Sequence, residues 1–471
     1  MKGQIRVRFA PSPTGHLHIG SLRTALFNYL FAKSHNGKFI LRIEDTDRDR
    51  LVPEAMGQII ESLEWIGIEI DEGPKQNGKF GPYVQSERVK IYQDIARKLV
   101  EKKMAYYSHS SNGQLDNLRN QAIKAKKPFV YRQIFEPETK PKGDNYPIRF
   151  KIPSGQTVWK DIIKGKFTTN NQVIDDFIIL KADGFPTYNF ANVIDDHLMQ
   201  VTHVIRGDEF VASTAKHVLL YRALGYNLPD FAHLPVILGP DKAKLSKRHG
   251  ATAVLDYKLE GYLPSALVNF LALLGWNDGT DQEIYPKVEL EKKFKLSKVQ
   301  KSPAVFDQTK LDWMNGEYIR MLDVKELART IKPYLMEVGF NTSDDKYLEK
   351  VAGLDQERLK KFSDAPILMD FFFMEPEIDT KLLSAKDDSS KVKKWLIEAA
   401  KIIEKSSQNH DHLQDDLSDL ARHLGIKNGQ LFYPIRIAIT GKTAAPGLFE
   451  TILTLGIDKS VLRIKKAISL L

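Results

Sequence analysis

The 471-residue chain reads as an α/β protein whose parallel sheet is interrupted by an insertion and followed by an all-helical region. Three observations carry that reading: a strand, loop, helix, strand order at the N-terminus, a less regular Lys- and Asn-rich middle stretch, and helical spacing of apolar residues after Leu322. At roughly 150 residues per domain the length allows about three domains, each able to bury its own core.

Each element follows from a local pattern. Ile5, Val7 and Phe9 alternate with polar neighbours and PSPTG follows, so a strand runs into a loop that Pro11 and Pro13 keep extended. Leu22, Ala25, Leu26, Tyr29 and Leu30 recur at helical spacing, and Asn36-Gly37 stops that helix. KFILRIE then resumes as a buried strand through Phe39, Ile40, Leu41 and Ile43, the order a parallel nucleotide-binding sheet requires. From about Lys90 to Asp195, helical patches, the stretch KAKKP and turns such as TTNNQ read as the insertion. Strand character returns at VTHVIRGDEF and a helix carrying Val218, Leu219 and Leu220 follows. Further on, Val392, Trp395, Leu396, Ala399, Ile402 and Ile403 share one helical face, as do Leu413, Leu417, Leu420, Ala421 and Leu424, with Gly425 as the C-cap.

Apolar residues make up 42% and charged residues 27%, as in soluble globular proteins, and no stretch approaches the ~20 apolar residues that span a bilayer. The N-terminal segment has no apolar signal-like region, so a cytoplasmic, membrane-free protein is expected. The absence of cysteine excludes disulfides, thiolate nucleophiles, iron-sulfur clusters and thiolate-rich zinc sites. The 69 Lys and Arg against 60 Asp and Glu give a net charge of +9, a field that attracts a polyanion such as nucleic acid, although the abundant acids make this a mixed surface.

Two motifs carry chemistry. Gly15 and Gly20 bracket four residues in GHLHIG, but Ser21-Leu22 stands where a phosphate loop needs Lys-Ser/Thr, and no GxGxxG follows the strand. Thr14, His18 and Gly20 instead sit just before a helix N-terminus, whose free N–H groups and dipole favour phosphate; capping of the loop is the competing use of the two histidines. DKAKLSKRH gathers Lys244, Lys247 and Arg248 after Gly239-Pro240, cations able to follow charge onto a polyphosphate leaving group, though a basic run taken alone is more often a solvated loop.

Together, RFAPSPTGHLHIG and the distant KLSKRHG resemble the paired signatures of the class I aminoacyl-tRNA synthetases. With LRIEDTD, FPTYNFANVIDDH, THVIRG, GYLPSALVNFLALLGW, LDWMNGEYIR, PIRIAITG and PGLFE, essentially the whole chain is similar to the bacterial glutamyl-tRNA synthetases. The resemblance implies a Rossmann-type catalytic domain in halves 1–90 and 196–240, an inserted acceptor-binding domain at 91–195, a signature-loop and stem-contact helical domain at 241–322, and an all-helical anticodon-binding region at 323–471. It implies ATP-dependent attachment of L-glutamate to tRNA(Glu) through a glutamyl-adenylate, by a monomer, with ATP and Mg2+ and without protein-bound zinc.

By the same resemblance, His18, Lys244 and Lys247 are the catalytic residues, and Thr14, His18, Gly20, Glu209, Lys244 and Lys247 hold ATP. Arg8, Ala10, Ser12, Glu44, Tyr188, Asn192 and Arg206 form the glutamate pocket, Glu44 meeting the ammonium group and the two arginines the carboxylates, in an order the sequence leaves open. An Arg8 to Glu44 ion pair is the structural alternative. Arg358, Arg436, Pro446 and Leu448 match anticodon positions, with core packing equally open for Pro446 and Leu448. The chain departs from the pattern at Ser21, at the text GDEF, at FVYRQIF, and at AYYSHSSNGQ, where many relatives carry zinc-binding cysteines and only His109 stands. Glutaminyl relatives would carry β-barrels after Leu322, a tRNA-modifying paralogue would lack that half, and a non-catalytic tRNA-binding protein would have no need of His18, Glu44 and both lysines.

Overall fold

The structure, a computed structural model, describes residues 3–110, 112–126, 129–138, 146–246, 253–406 and 412–471. It divides into two compact units, Met1–Lys258 with Pro264–Gln308, and Leu259–Leu263 with Thr309–Leu471.

The first unit runs β1 (Arg6–Phe9), α1 (Ile19–Lys33), β2 (Lys38–Leu41), α2 (Ala55–Trp65), α3 (Val89–Glu101), β3 (Ala105–Tyr107), α4 (Asn112–Lys124), β4 (Ile148–Phe150), β5 (Gln156–Asp161), β6 (Gly165–Asn170), β7 (Phe177–Leu180), α5 (Tyr188–Leu198), β8 (His203–Gly207), α6 (Val211–Leu224), β9 (Asp230–Leu234), β10 (Ile237–Leu238), α7 (Val254–Leu259), α8 (Pro264–Leu273), α9 (Lys287–Lys293) and β11 (Ala304–Val305). β1 pairs with β2 in parallel, and β8 with β9 in parallel, Arg206 opposite His233. Beside β1, Thr202 links the two ladders: its N–H donates to Arg6 O at 2.9 Å and its Oγ1 accepts from Arg6 N at 2.9 Å.

Helix α1 is buried nearly all round, not on a single stripe, as a helix in the middle of a large core must be. Its polar residues are therefore bonded: Asn28 Nδ2 donates to Ile205 O at 3.1 Å, and Arg23 Nη1 to Leu274 O at 3.0 Å. All four residues of β1 are buried, its polar positions included, with Arg6 bidentate to Glu72 at 2.7 and 2.9 Å. Both faces of this strand are covered, as parallel strands usually are.

The stretch expected as an insertion splits between two sheets. β3, β4 and β7 form an antiparallel sheet of their own, whereas β5 joins β9 in parallel and carries β6 beside it, giving the order β6-β5-β9-β8. The boundaries at 91 and 195 thus enclose one sheet whole, whereas β5 and β6 belong to a sheet that reaches beyond them, Asp161 at the end of β5 being bonded to His233 of β9. In the antiparallel part, Ser108, Ser110 and Tyr131 close a triangle of hydroxyl contacts at 2.7, 3.2 and 3.1 Å. His109 lies 3.2 Å from Glu138 and edge-on to Tyr146.

The second unit consists of α10 (Gln308–Arg320), α11 (Val324–Glu337), α12 (Asp345–Asp355), α13 (Ala365–Phe373), α14 (Thr380–Leu383), α15 (Ser389–Lys405), α16 (Leu413–His423), α17 (Asn428–Thr440), α18 (Leu448–Leu455) and α19 (Ile457–Leu470). Asp323, Asp344, Asp379 and Asp388 cap four of these helices by accepting a backbone N–H of the first turn. The expected stripes pack inward, Leu396, Ile403, Leu417 and Ala421 all being fully buried, and Gly425 takes the left-handed conformation expected after a helix end. This core begins before residue 323, since Ile319 on α10 already belongs to it. Among the described residues no helix is long and apolar enough to cross a membrane.

A buried carboxylate ties α3 to α5. Asp195 accepts from Arg88 Nε at 2.7 Å, Tyr92 OH at 2.7 Å and Gln85 Nε2 at 2.9 Å. Asp195→Asn leaves Arg88 buried without its counter-charge and is expected to cost about 3–5 kcal/mol in urea unfolding of the full chain followed by tryptophan fluorescence; a cost below about 1 kcal/mol would contradict this role.

Candidate active site

The loop after β1, the N-terminus of α1, the start of α5 and the end of β8 surround a cavity of about 820 Å3. Arg8, Ala10, Ser12, Thr14, His18, Glu44, Tyr188, Asn192, Arg206 and Glu209 all line it. A smaller cavity of about 280 Å3 shares His18 and Glu209 and adds Gly20 and Lys244. Lys247 lies outside the described residues.

His18 is the N-cap of α1, its Nδ1 accepting the Gly20 N–H at 3.1 Å. Because Nδ1 accepts, the ring proton sits on Nε2; burial and the nearby Lys244 ammonium also push the imidazole below the ordinary histidine range. The site thus presents an N–H donor at the positive end of a helix. Lys244 is carried by a hairpin in which Leu245 N–H donates to Ile237 O at 3.0 Å and Gly239 N–H to Ala243 O at 2.8 Å. Beyond the loop, Val254 N–H donates to Leu17 O at 3.0 Å, so the chain on either side of this basic segment is anchored next to His18.

At the other end of the cavity a buried charge network sets the side chains. Arg42, fully buried, donates from Nη2 to Glu44 Oε1 at 2.9 Å and from Nη1 to Asp196 Oδ1 at 2.7 Å. Arg8 meets the same Asp196 through Nε at 2.9 Å and Nη2 at 3.3 Å. The direct Arg8 to Glu44 pair considered from sequence is not made, because each residue has a partner of its own. Asn192 bridges them, donating to Glu44 Oε1 at 2.8 Å while its Oδ1 accepts from Arg8 at 3.5 Å. Burial raises both acids, but Arg8 and Arg42 outweigh it at Asp196, whose carboxyl falls below the usual range; at Glu44 burial prevails over Arg42 and Arg8 and the carboxyl rises.

Arg206 differs from Arg8, Arg42 and Arg88, each of which meets a carboxylate. Its Nε donates to His233 Nε2 at 3.1 Å, Nη1 to Tyr188 OH at 3.1 Å and His217 Nδ1 at 3.3 Å, and Nη2 to Thr214 Oγ1 at 2.9 Å and Phe210 O at 3.4 Å. All these acceptors are neutral groups, and among the described residues no carboxylate pairs with it. Arg42, Asp195, Asp196, His217 and His233 were not singled out from sequence. The signal for the first three was present: charged residues inside the buried runs FILRIE and FANVIDD must find partners.

In the second unit, Arg358 pairs with Asp355 and donates from Nη2 to Ala444 O at 3.1 Å. Burial, against the pull of Arg358, pushes the Asp355 carboxyl up to about 6. Arg436 Nε is buried without a hydrogen-bond partner among the described residues. Pro446 and Leu448 are buried, Leu448 as part of the helical core.

Residues 4–313 match the family model of the catalytic domain of class I tRNA synthetases for glutamate and glutamine, and residues 326–468 match an anticodon binding domain. The chain is 46% identical over 477 residues to a glutamate--tRNA ligase of Dehalococcoides mccartyi, covering 100% of this chain and 98% of that protein. It is 44% identical to the glutamate--tRNA ligase of Clostridium botulinum, with 99% of each covered. A crystal structure of a glutamate tRNA ligase from Elizabethkingia meningosepticum in complex with its amino acid superimposes with a TM-score of 0.92 at 37% identity, covering 99% of both chains. Sequence motifs, architecture and relatives agree: the chain belongs to the bacterial glutamate--tRNA ligase family, within the class I tRNA synthetases.

Proposed function

We propose that this protein joins L-glutamate to ATP, forming glutamyl-adenylate and pyrophosphate, and then transfers the glutamyl group to tRNA(Glu). The observation that carries the substrate assignment is the charge of Arg206, buried at the cavity wall and hydrogen-bonded, among the described residues, to neutral partners only. Around it Arg8, Arg42 and Arg88 are matched by Glu44, Asp195 and Asp196. Glutamate brings two carboxylates and one ammonium group. Its side-chain carboxylate supplies the counter-charge that Arg206 lacks, whereas glutamine leaves the guanidinium buried and unpaired.

Both donors to Glu44 use Oε1, which makes Oε2 the oxygen available to the substrate ammonium group. Tyr188 OH accepts from Arg206, so its own O–H can donate to the same carboxylate. The α-carboxylate oxygen attacks the α-phosphorus of ATP while the bond to pyrophosphate breaks; no proton needs to move, since the nucleophile is already ionised. His18 donates Nε2–H to a phosphate oxygen, and Lys244 with Lys247 stabilises charge developing on the leaving group. ATP arrives with Mg2+, a hard cation suited to phosphate oxygens and water, which lowers the charge of the reacting phosphates. A terminal ribose hydroxyl of tRNA then attacks the carbonyl, its proton passing to the phosphate of the departing AMP. Arg358 and Arg436 face the anticodon in this reading, residues 91–195 the acceptor stem, and the protein acts as a cytoplasmic monomer.

ATP-pyrophosphate exchange is expected with glutamate, chiefly when tRNA is present; exchange with glutamine but not glutamate would overturn the substrate assignment. Lys244→Ala and Lys247→Ala are each expected to lower kcat by about a hundredfold with tRNA affinity little changed, as cations acting on the transition state should. Equal turnover in either variant, measured by aminoacylation, would remove that lysine from the mechanism.

A further inference from the structure

A guanidinium has no acceptor atom, so every nitrogen facing Arg206 must offer a lone pair. His217 Nδ1 does so at 3.3 Å, which places its proton on Nε2, where it is donated to Asn189 Oδ1 at 2.9 Å. His233 Nε2 does so at 3.1 Å, which places its proton on Nδ1, donated to Asp161 Oδ2 at 2.7 Å. Each ring is thus fixed in one neutral tautomer by a second residue. Burial, with Arg206 and Arg8 nearby, holds the His217 ring well below the ordinary histidine range, Lys216 and His233 acting in the same direction. Burial likewise lowers His233, against the pull of Asp161 and Asp208.

His233 also separates two groups that would otherwise pair. Asp161 is buried and opposite in charge to Arg206, yet its Oδ1 accepts the N–H groups of Ile163 at 2.9 Å and Lys164 at 2.7 Å, and its Oδ2 faces His233. The imidazole stands between carboxylate and guanidinium. A direct contact there would cancel the charge on which the cavity's choice of ligand depends.

We propose that His217 and His233 are positioning residues that hold Arg206 through lone pairs alone, keeping its charge unmatched for the substrate side-chain carboxylate and so favouring glutamate over glutamine. The proposal rests on the glutamate-activating function and deepens it. A purely packing role for these rings would be indifferent to charge; this one is not.

His217→Glu and His217→Gln have nearly the same shape and differ in charge. With the full chain and tRNA(Glu), kcat/KM is measured for glutamate and for glutamine by ATP-pyrophosphate exchange. His217→Glu is expected to lower the glutamate-over-glutamine ratio by about a hundredfold, mainly through KM for glutamate with KM for ATP unmoved, while His217→Gln keeps the ratio within about threefold. Should His217→Glu not fold, Asn189→Asp places the same charge against His217 from a half-buried position on α5, and about a tenfold fall is expected. Equal ratios for the Glu and Gln variants, or an unchanged ratio in Asn189→Asp, would overturn the proposal. A parent chain that prefers glutamine or activates neither amino acid would instead overturn the functional reading beneath it.

Discussion

A charge buried away from water must be matched or stay solvated by dipoles, and the catalytic unit is arranged around that constraint. Arg8, Arg42 and Arg88 meet Asp195, Asp196 and Glu44 in one connected network spanning β1, the chain after β2, the segment before α3, and α5. Because Arg42 touches both Glu44 and Asp196, and Asp196 holds Arg8, a single guanidinium sets two sides of this end of the cavity. Arg206, by contrast, is hydrogen-bonded among the described residues only to neutral groups. Its charge is one that an anionic ligand can match.

The His18 end of the cavity follows a different logic. There the fold brings together weak but oriented donors: a helix start, an imidazole with a fixed tautomer and a lysine on a short hairpin. None of these is a strong acid or base, which suits a displacement at phosphorus by a carboxylate that is already ionised. The bond from Val254 to Leu17 matters here, since it returns the chain to the N-cap of α1 once the basic segment has been passed. Both signature segments therefore depend on the same few residues of backbone.

Much of this was legible in the sequence. The stripe from Leu22 to Leu30, the stop at Asn36-Gly37 and the helical faces of α15 and α16 are local patterns, and local patterns survive into the fold. The cavity-lining residues were legible as motifs, Arg8 through His18 in one run and Tyr188 with Asn192 in another. What local pattern could not give was pairing. Arg8 reads as the polar side of an alternating strand, yet the second face of β1 is covered and its charge is met by Asp196, distant in sequence. Asp161 lies in the apparent insertion, and only the crossing of β5 to β9 brings it to His233. Leu448 shows the converse: a motif match whose side chain also belongs to the helical core.

The most direct measurement is a crystal structure of the chain with L-glutamate and a non-hydrolysable ATP analogue. The ligand side-chain carboxylate should lie within hydrogen-bonding distance of Arg206 and Tyr188, with the ammonium group on Glu44 and phosphate oxygens at His18. A complex in which Arg206 keeps all its present neutral partners while that carboxylate binds elsewhere would contradict the account.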